Sequence, residues 1–261
     1  MTAGLALVTG ASSGIGWELA KLFAGDGYDL IVAADGDDIH ASAAELGAFG
    51  VQVQPVQVDL RRPEEIERLY SIAVENGRQL DAAALNAGIG GAGKFVDRGL
   101  KEDLDIVDLN VRSTAHLAKL VLRDMARRGT GKVLFTSSIA STMPGSHQTL
   151  YNASKSFIQS FAEALHDELR DTDVTVTALM PGPTDTDFFR RAGMDDTVVG
   201  RIPKDDPGRV AEQGYDALMR GRRKVIAESP LSKAMGLANR VLPDSVKAAA
   251  SRLISLPAGR N

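Results

Sequence analysis

The sequence predicts an α/β protein, a doubly wound parallel sheet with helices on both faces. Three observations predict it. The strand-like runs are apolar throughout rather than alternating, as strands covered on both sides are. Helical patterns separate them one by one. The Gly/Ser-rich stretch "GASSGIG", residues 10–16, stands where the first strand should hand over to the first helix. At 261 residues the chain can bury one substantial core and is short for two. No linker, repeat or low-complexity tract divides it, so one domain over residues 1–261 is expected.

The elements follow in order. "LALVT" (5–9) reads as a buried strand. Behind it Ile15, Leu19, Leu22 and Phe23 share one helical face. A second strand is expected over 28–34, a helix over 37–46, and a third strand over 51–60 whose ladder Pro55 should break. A helix follows over 62–77, with Pro63 in its first turn. Strands are expected at 81–88 and 132–138. Between them Leu104, Val107, Val111, Thr114, Ala118, Val121 and Met125 step by three and four along a long helix, 103–128. A helix over 151–170, a strand over 174–182, a loop-rich stretch with a short helix over 183–206, a helix over 207–221 and a strand over 224–228 complete the series. In such sheets ligands bind beyond the carboxyl ends of the strands, and every motif below falls at such an end.

Composition narrows the function. A net charge of −4 offers nucleic acid no general attraction. The stretch from Arg220 to Asn261 is nonetheless basic, with nine Lys and Arg against Glu228 and Asp244. It either meets anionic groups or pairs with acidic neighbours in an oligomer. The absence of cysteine excludes disulfides, thiolate nucleophiles and Cys-based metal sites. His40, His116, His147 and His166 show no metal-ligand spacing, so no metal is expected. There is no signal-like start, and no apolar run approaches the ~18 residues of a membrane span. A cytoplasmic protein is expected.

Two motifs carry chemistry. Glycines at 10, 14 and 16 permit positive φ and close approach, and the helix behind them aims free N–H groups at the same spot. An anion such as a phosphate fits there; a plain tight turn is the alternative. "YNASK" puts Tyr151 and Lys155 one helical turn apart, on a stripe continued by Ile158, Ala162, Leu165 and Leu169. A neighbouring ammonium favours phenolate and lowers a phenol's pKa from near 10, fitting it for proton transfer to and from a carbonyl oxygen. A half-buried tyrosine beside a snorkelling lysine is the alternative.

The order of motifs decides between these readings. "TGASSGIG" after the first strand, "LNAG" after the fourth, Asn110 in the long helix, "TSS" after the fifth, and Y-x-x-x-K thirteen residues beyond Ser138 follow one another. Over roughly residues 3–228 this resembles the short-chain dehydrogenase/reductase family of NAD(P)-dependent oxidoreductases. The resemblance implies a single Rossmann-type domain with a seven-stranded parallel sheet. It implies that Gly10, Gly14 and Gly16 border the dinucleotide pyrophosphate, with Ser12, Ser13 and Ile15 in local contact. Asp59 and Leu60 would flank the adenine, and Asn86, Ala87 and Gly88 would support the sheet beside the adenosine ribose. Tyr151 would be the acid/base, and Ser138 would hydrogen-bond the substrate oxygen. Lys155 would hold the nicotinamide ribose while lowering the Tyr151 pKa, and Asn110 would anchor a relay water. Pro181, Gly182 and Thr186 of "PGPTDT" match the segment beside the nicotinamide.

Leu85 departs from the family's usual Asn at the head of N-N-A-G. The glycine order of the epimerase-like relatives and the Y-x-x-M-x-x-x-K of enoyl reductases are absent. Interconversion of a small or hydrophobic secondary alcohol and ketone is therefore expected. A non-catalytic dinucleotide-binding sensor or partner protein and a 3-oxoacyl-thioester reductase are the alternatives. Ser137 adjoins Ser138, and the thirteen-residue spacing favours Ser138. Residues 187–206 fall where the family keeps a substrate lid. There Phe188, Phe189 and Met194, with His147 before the catalytic helix, either line the substrate cleft or serve packing and surface. Arg190 and Arg191 either meet an anionic substrate or face solvent. "AADGDD" offers Asp35, Asp37 and Asp38 with no positive charge, and Ser13 stands where NADP users often carry a base. NAD is expected over NADP, although Asp35 lies nineteen residues after Gly16, one later than the family's usual acidic position, where this chain has Ala34. A homodimer or homotetramer is expected, with Leu117, Leu122, Phe157 and Phe161 meeting a second subunit. The basic C-terminal extension, 229–261, covers the cleft or builds an interface.

Overall fold

The computed structural model describes residues 4–227 and 243–255. Its strands are β1 (Leu5–Thr9), β2 (Asp29–Ala34), β3 (Val53–Gln57), β4 (Ala82–Leu85), β5 (Thr130–Thr136), β6 (Asp173–Met180) and β7 (Lys224–Ile226). They form one sheet in the order β3-β2-β1-β4-β5-β6-β7, every pair parallel. The order reverses between β1 and β4, so connections leave these neighbours toward opposite faces and open a crevice at their carboxyl ends.

The helices are α1 (Gly14–Gly25), α2 (Asp38–Gly47), α3 (Pro63–Ala73), α4 (Leu100–Ile106), α5 (Thr114–Arg128), α6 (Thr149–Glu168), α7 (Phe188–Arg191), α8 (Val198–Arg201), α9 (Pro207–Met219) and α10 (Asp244–Ile254). Along β1, Leu5 and Leu7 point into one layer and Ala6 and Val8 into the other, the two-residue period of a strand. The first layer takes Ile66 and Leu69 of α3, Leu117 and Val121 of α5, and Ile158 of α6. The second takes Leu19 and Phe23 of α1, Ile39 and Leu46 of α2, and Val210 and Leu218 of α9. Burying both faces is what makes the strands read as unbroken apolar runs.

Several expectations need correction. Pro55 does not break its ladder: it pairs with Val32 inside β3. As the sheet's edge strand, β3 can carry a residue that lacks an N–H. The helix expected over 62–77 ends at Ala73, and a 3₁₀ turn follows with Asn76 at φ 58°. The long helix is interrupted: α4 passes through a π-helical turn, Val107–Ser113, before α5. Leu117 and Leu122, expected between subunits, lie in the protomer's own core. Phe157 stays exposed and stacks on the partly buried Phe161, with centroids 5.4 Å apart. The basic stretch 229–261 falls largely outside the described residues; its described part holds α10.

Candidate active site

The turn after β1 takes its shape from its glycines. Gly10 and Gly14 have φ of 66° and 56°, where a side chain is strained. A Cβ on Gly14 would stand 2.8 Å from Thr186 Cγ2, and one on Gly16 would overlap the Gly10 carbonyl. Ser13 begins α1 without a side-chain cap, and no acidic residue sits in the first turn. The helix therefore presents its positive end uncapped.

Beside the turn, polar side chains join three strand ends. The Thr9 hydroxyl accepts from the N–H groups of Asn86 (3.0 Å) and Ala87 (3.1 Å). Asn86 Nδ2 donates to the carbonyls of Thr9 and Gly10, and its Oδ1 accepts from Thr136 Oγ1 at 3.0 Å. These bonds fix β1, β4 and β5 relative to one another.

The opposite wall holds Ser138, Tyr151 and Lys155. Ser138 begins a short 3₁₀ turn after β5; its hydroxyl accepts from Ala140 N at 3.1 Å, donates to the Pro181 carbonyl at 3.4 Å and stands beside the Tyr151 phenol. Ser137, by contrast, donates to the Lys155 carbonyl at 3.0 Å and serves the packing of α6. Lys155 is buried; its Nζ donates to the Thr136 carbonyl at 2.8 Å and lies 5.9 Å from the Tyr151 ring centroid. Burial pushes the phenol up to about 12, against the smaller lowering effect of the Ser138 hydrogen bond. Burial likewise pulls the Lys155 amine down to about 8. The direction of the Tyr151 shift is therefore set by burial, and the Lys155 amine is turned to the Thr136 carbonyl rather than to the phenol.

Asn110 stands behind this wall, wholly buried in the π-helical turn. Its Oδ1 accepts from Ile89 N and its Nδ2 donates to Ile89 O and Ser154 Oγ, each at 2.9 Å. Gly88 lets this group approach, since a Cβ there would lie 3.2 Å from Asn110 Oδ1 and 3.3 Å from Lys155 Nζ. A single amide thereby ties the loop after β4 to α6.

Between the walls lies a cleft with a cavity of about 290 Å³. Gly10, Ser12, Ser13, Gly14, Ile15, Asp35, Asp59, Leu60, Asn86, Ala87 and Gly88 line it, as do Ser138, Tyr151, Lys155, Pro181, Gly182 and Thr186. Gly16 and Asn110 act from behind. Asp35 is the first residue past β2 and is exposed. Arg61 hydrogen-bonds both Asp59 oxygens at 2.8 Å, holding that carboxyl below its usual range, and also reaches Asp105 at 3.3 Å.

At the far end Phe188 tilts against Tyr151, with centroids 5.2 Å apart, and its ring fills the space a Gly90 side chain would need. Phe189 and Met194 also line the cavity. Arg190 pairs with Asp187 in solvent, and Arg191 is exposed at the rim. His147 does not line the cavity. It holds φ 66° in a turn and accepts from Gly93 N at 2.9 Å, while its neighbour Gln148 faces the cleft. Sequence reasoning missed Met143, Gln148, Val199, Ser251 and Ile254. None belongs to a spaced motif, and the last two lie more than eighty residues beyond the end of α6.

Comparison with known proteins agrees with this geometry. A family profile described as short chain dehydrogenase matches residues 4–196. The oxidoreductase UcpA of Salmonella typhimurium is 32% identical over 222 residues, 84% of this chain and 81% of that protein. A putative ketoacyl reductase of Streptomyces coelicolor is 35% identical over 185 residues, 70% of this chain and 71% of that one. Among solved structures, a short-chain dehydrogenase from Sphingobium yanoikuyae in complex with NADPH superposes with a TM-score of 0.79 at 29% identity, covering 91% of this chain and 94% of that one. The chain therefore belongs to the short-chain dehydrogenase/reductase family of NAD(P)-dependent oxidoreductases.

Proposed function

We propose that this protein interconverts a secondary alcohol and a ketone by hydride transfer, with NAD as its preferred dinucleotide. The observation that carries the reading is the convergence of Ser138, Tyr151 and Lys155 on one wall of a cleft whose other end is the uncapped glycine turn. That turn fits a pyrophosphate, since a side chain at Gly14 would fill the cradle and α1 offers free N–H groups. Gly10, Ser12, Ser13, Gly14 and Ile15 would hold the pyrophosphate, Lys155 the nicotinamide ribose, and Asp59 with Leu60 the adenine. Ala87 and Gly88 would lie beside the adenosine ribose, and Pro181, Gly182 and Thr186 beside the nicotinamide. When bound, the cofactor supplies or accepts the hydride and, oxidised, carries positive charge.

The chain's own part is the proton. Ser138 hydrogen-bonds the substrate oxygen, and Tyr151 gives its proton to a ketone or takes one from an alcohol. The phenol is protonated at neutral pH, as the acid role requires. Asn110, with its side chain committed to Ile89 and Ser154, would anchor the relay water through its main chain. Asp35 beyond β2 favours the free ribose hydroxyls of NAD and repels a 2′-phosphate; Arg61 is already engaged by Asp59 and Asp105.

The similarity to a putative ketoacyl reductase favours one second reading, reduction of 3-oxoacyl thioesters. Comparing kcat/KM for free ketones and thioesters separates the two. The protein works in the cytoplasm as a homodimer or homotetramer, with exposed Leu104 and Phe157 on the contact face; a monomer by light scattering at micromolar concentration overturns the assembly. The site itself is tested by Tyr151→Phe. Turnover falls by about 10²–10⁴-fold while NADH binding, followed by fluorescence, is retained. Near-full turnover in the variant overturns the mechanism.

A further inference from the structure

The far wall of the cleft comes from a helix that no motif marks. Ser251 and Ile254 of α10 line the same cavity as Tyr151. Ile254 packs against the small apolar cluster of Phe189, Met194 and Val199 in the lid. One residue on, the Ser255 hydroxyl accepts from Gln148 Nε2 at 2.8 Å, across 107 residues of sequence. Gln148 immediately precedes α6, which carries Tyr151 and Lys155. The helix is thus fastened to the catalytic wall by a hydrogen bond and to the lid by an apolar contact.

We propose that α10 closes the substrate end of the cleft and that Ile254 sets the length of the apolar substituent the enzyme accepts beside the reacting carbon. The inference rests on the alcohol/ketone reading and deepens it. Apolar surfaces from Met143, Phe188, Phe189, Met194, Val199 and Ile254 line this cavity, with Gln148 and Ser251 as their polar neighbours. The apolar side chains set the fit for a hydrocarbon chain or ring beside the reacting carbon. In such a pocket one methylene changes kcat/KM by about tenfold or more. Phe188 and Met194 sit on the lid. Ile254 enters from a separate element, so its size alters the depth of the pocket without altering the segment beside the cofactor.

The test is a series of 2-alkanols, from 2-butanol to 2-decanol, with NAD at saturation. Ile254→Ala shifts the chain length of highest kcat/KM upward by at least one carbon, and the ratio for long over short alcohols rises about tenfold. Ile254→Phe shifts both the other way. Opposite shifts from the two variants are not produced by a general loss of folding, and NADH binding followed by fluorescence reports on folding independently. An unchanged length profile in variants that still bind NADH overturns the role of α10 and leaves the alcohol/ketone reading standing. A wild type that binds NADH but oxidises none of these alcohols overturns that reading, and the inference with it.

Discussion

At the dinucleotide end of the cleft, Thr9, Asn86 and Thr136 tie together the tips of β1, β4 and β5, all embedded in the main sheet. At the other end, Phe189, Ala192, Met194 and Val199 form a cluster of four buried side chains on and between two short helices, separate from the two large cores. The first region shares its hydrogen bonds with the fold, so substitutions there are felt by the whole domain. The second leans on the domain without being part of its core, and can change shape at little cost to stability.

The contrast is most sharply probed at Lys155, which stands between the two ends. Its amine is lowered from 10.5 to about 8 by burial. Below about pH 8 folded and unfolded chains both hold the proton, and burying the charge costs stability throughout. Between about 8 and 10.5 the unfolded chain still binds a proton that the folded chain has lost, so native stability rises with pH across that window. In Lys155→Met, turnover falls by at least about 100-fold, and that part of the pH-dependent rise disappears. Its melting temperature at pH 7 equals or exceeds that of the wild type. A lower one would mean that the bond to the Thr136 carbonyl outweighs the desolvation it requires.

Next in size is Thr9→Val, which leaves the N–H groups of Asn86 and Ala87 without their acceptor. An unsatisfied buried donor costs about 1–3 kcal/mol, so denaturant unfolding should show a loss of about 2 kcal/mol with an unchanged m-value. Phe189→Leu at the other end should shift global stability by less than this while altering kcat/KM. If the lid substitution proves the costlier of the two, the division drawn above fails. The smallest effect is expected at Asp35. Asp35→Ser removes one repelling charge at the end of β2, and the NADP-to-NAD ratio of kcat/KM should rise by about tenfold, the size of a single surface electrostatic contribution of ~1.4 kcal/mol. An unchanged ratio would place cofactor choice on another residue.

The dinucleotide end was legible in the sequence because its signals are local. Gly10 and Gly14 announce positive φ, and Tyr151 with Lys155 announces one shared helical face. What escaped depends on distant chain. Pro55 is tolerated because β3 lies at an edge, and strand order is not a local property. Leu117 and Leu122 fall outside the stripe of Thr114, Ala118, Val121 and Met125, yet packing of α5 between α3 and the sheet buries a wider face. The direction of the Tyr151 shift also needed the fold, since a spacing of four residues shows which charge is near but not how little water is. Ile254 and Ser251 carry no pattern at all, and only the path of α10 brings them to the cleft.

The amide of Asn86 spends both of its ends on the protein: nitrogen on the Thr9 and Gly10 carbonyls, oxygen on Thr136. A replacement there would loosen the seam from which the glycine turn springs, and nucleotide affinity would drop although no contact with nucleotide had been removed. In a mutational survey scored by binding alone, this fastener would be mistaken for a ligand-contacting residue. Pairing each affinity with an unfolding curve tells them apart, because a lost contact lowers only the first whereas a loosened seam lowers both.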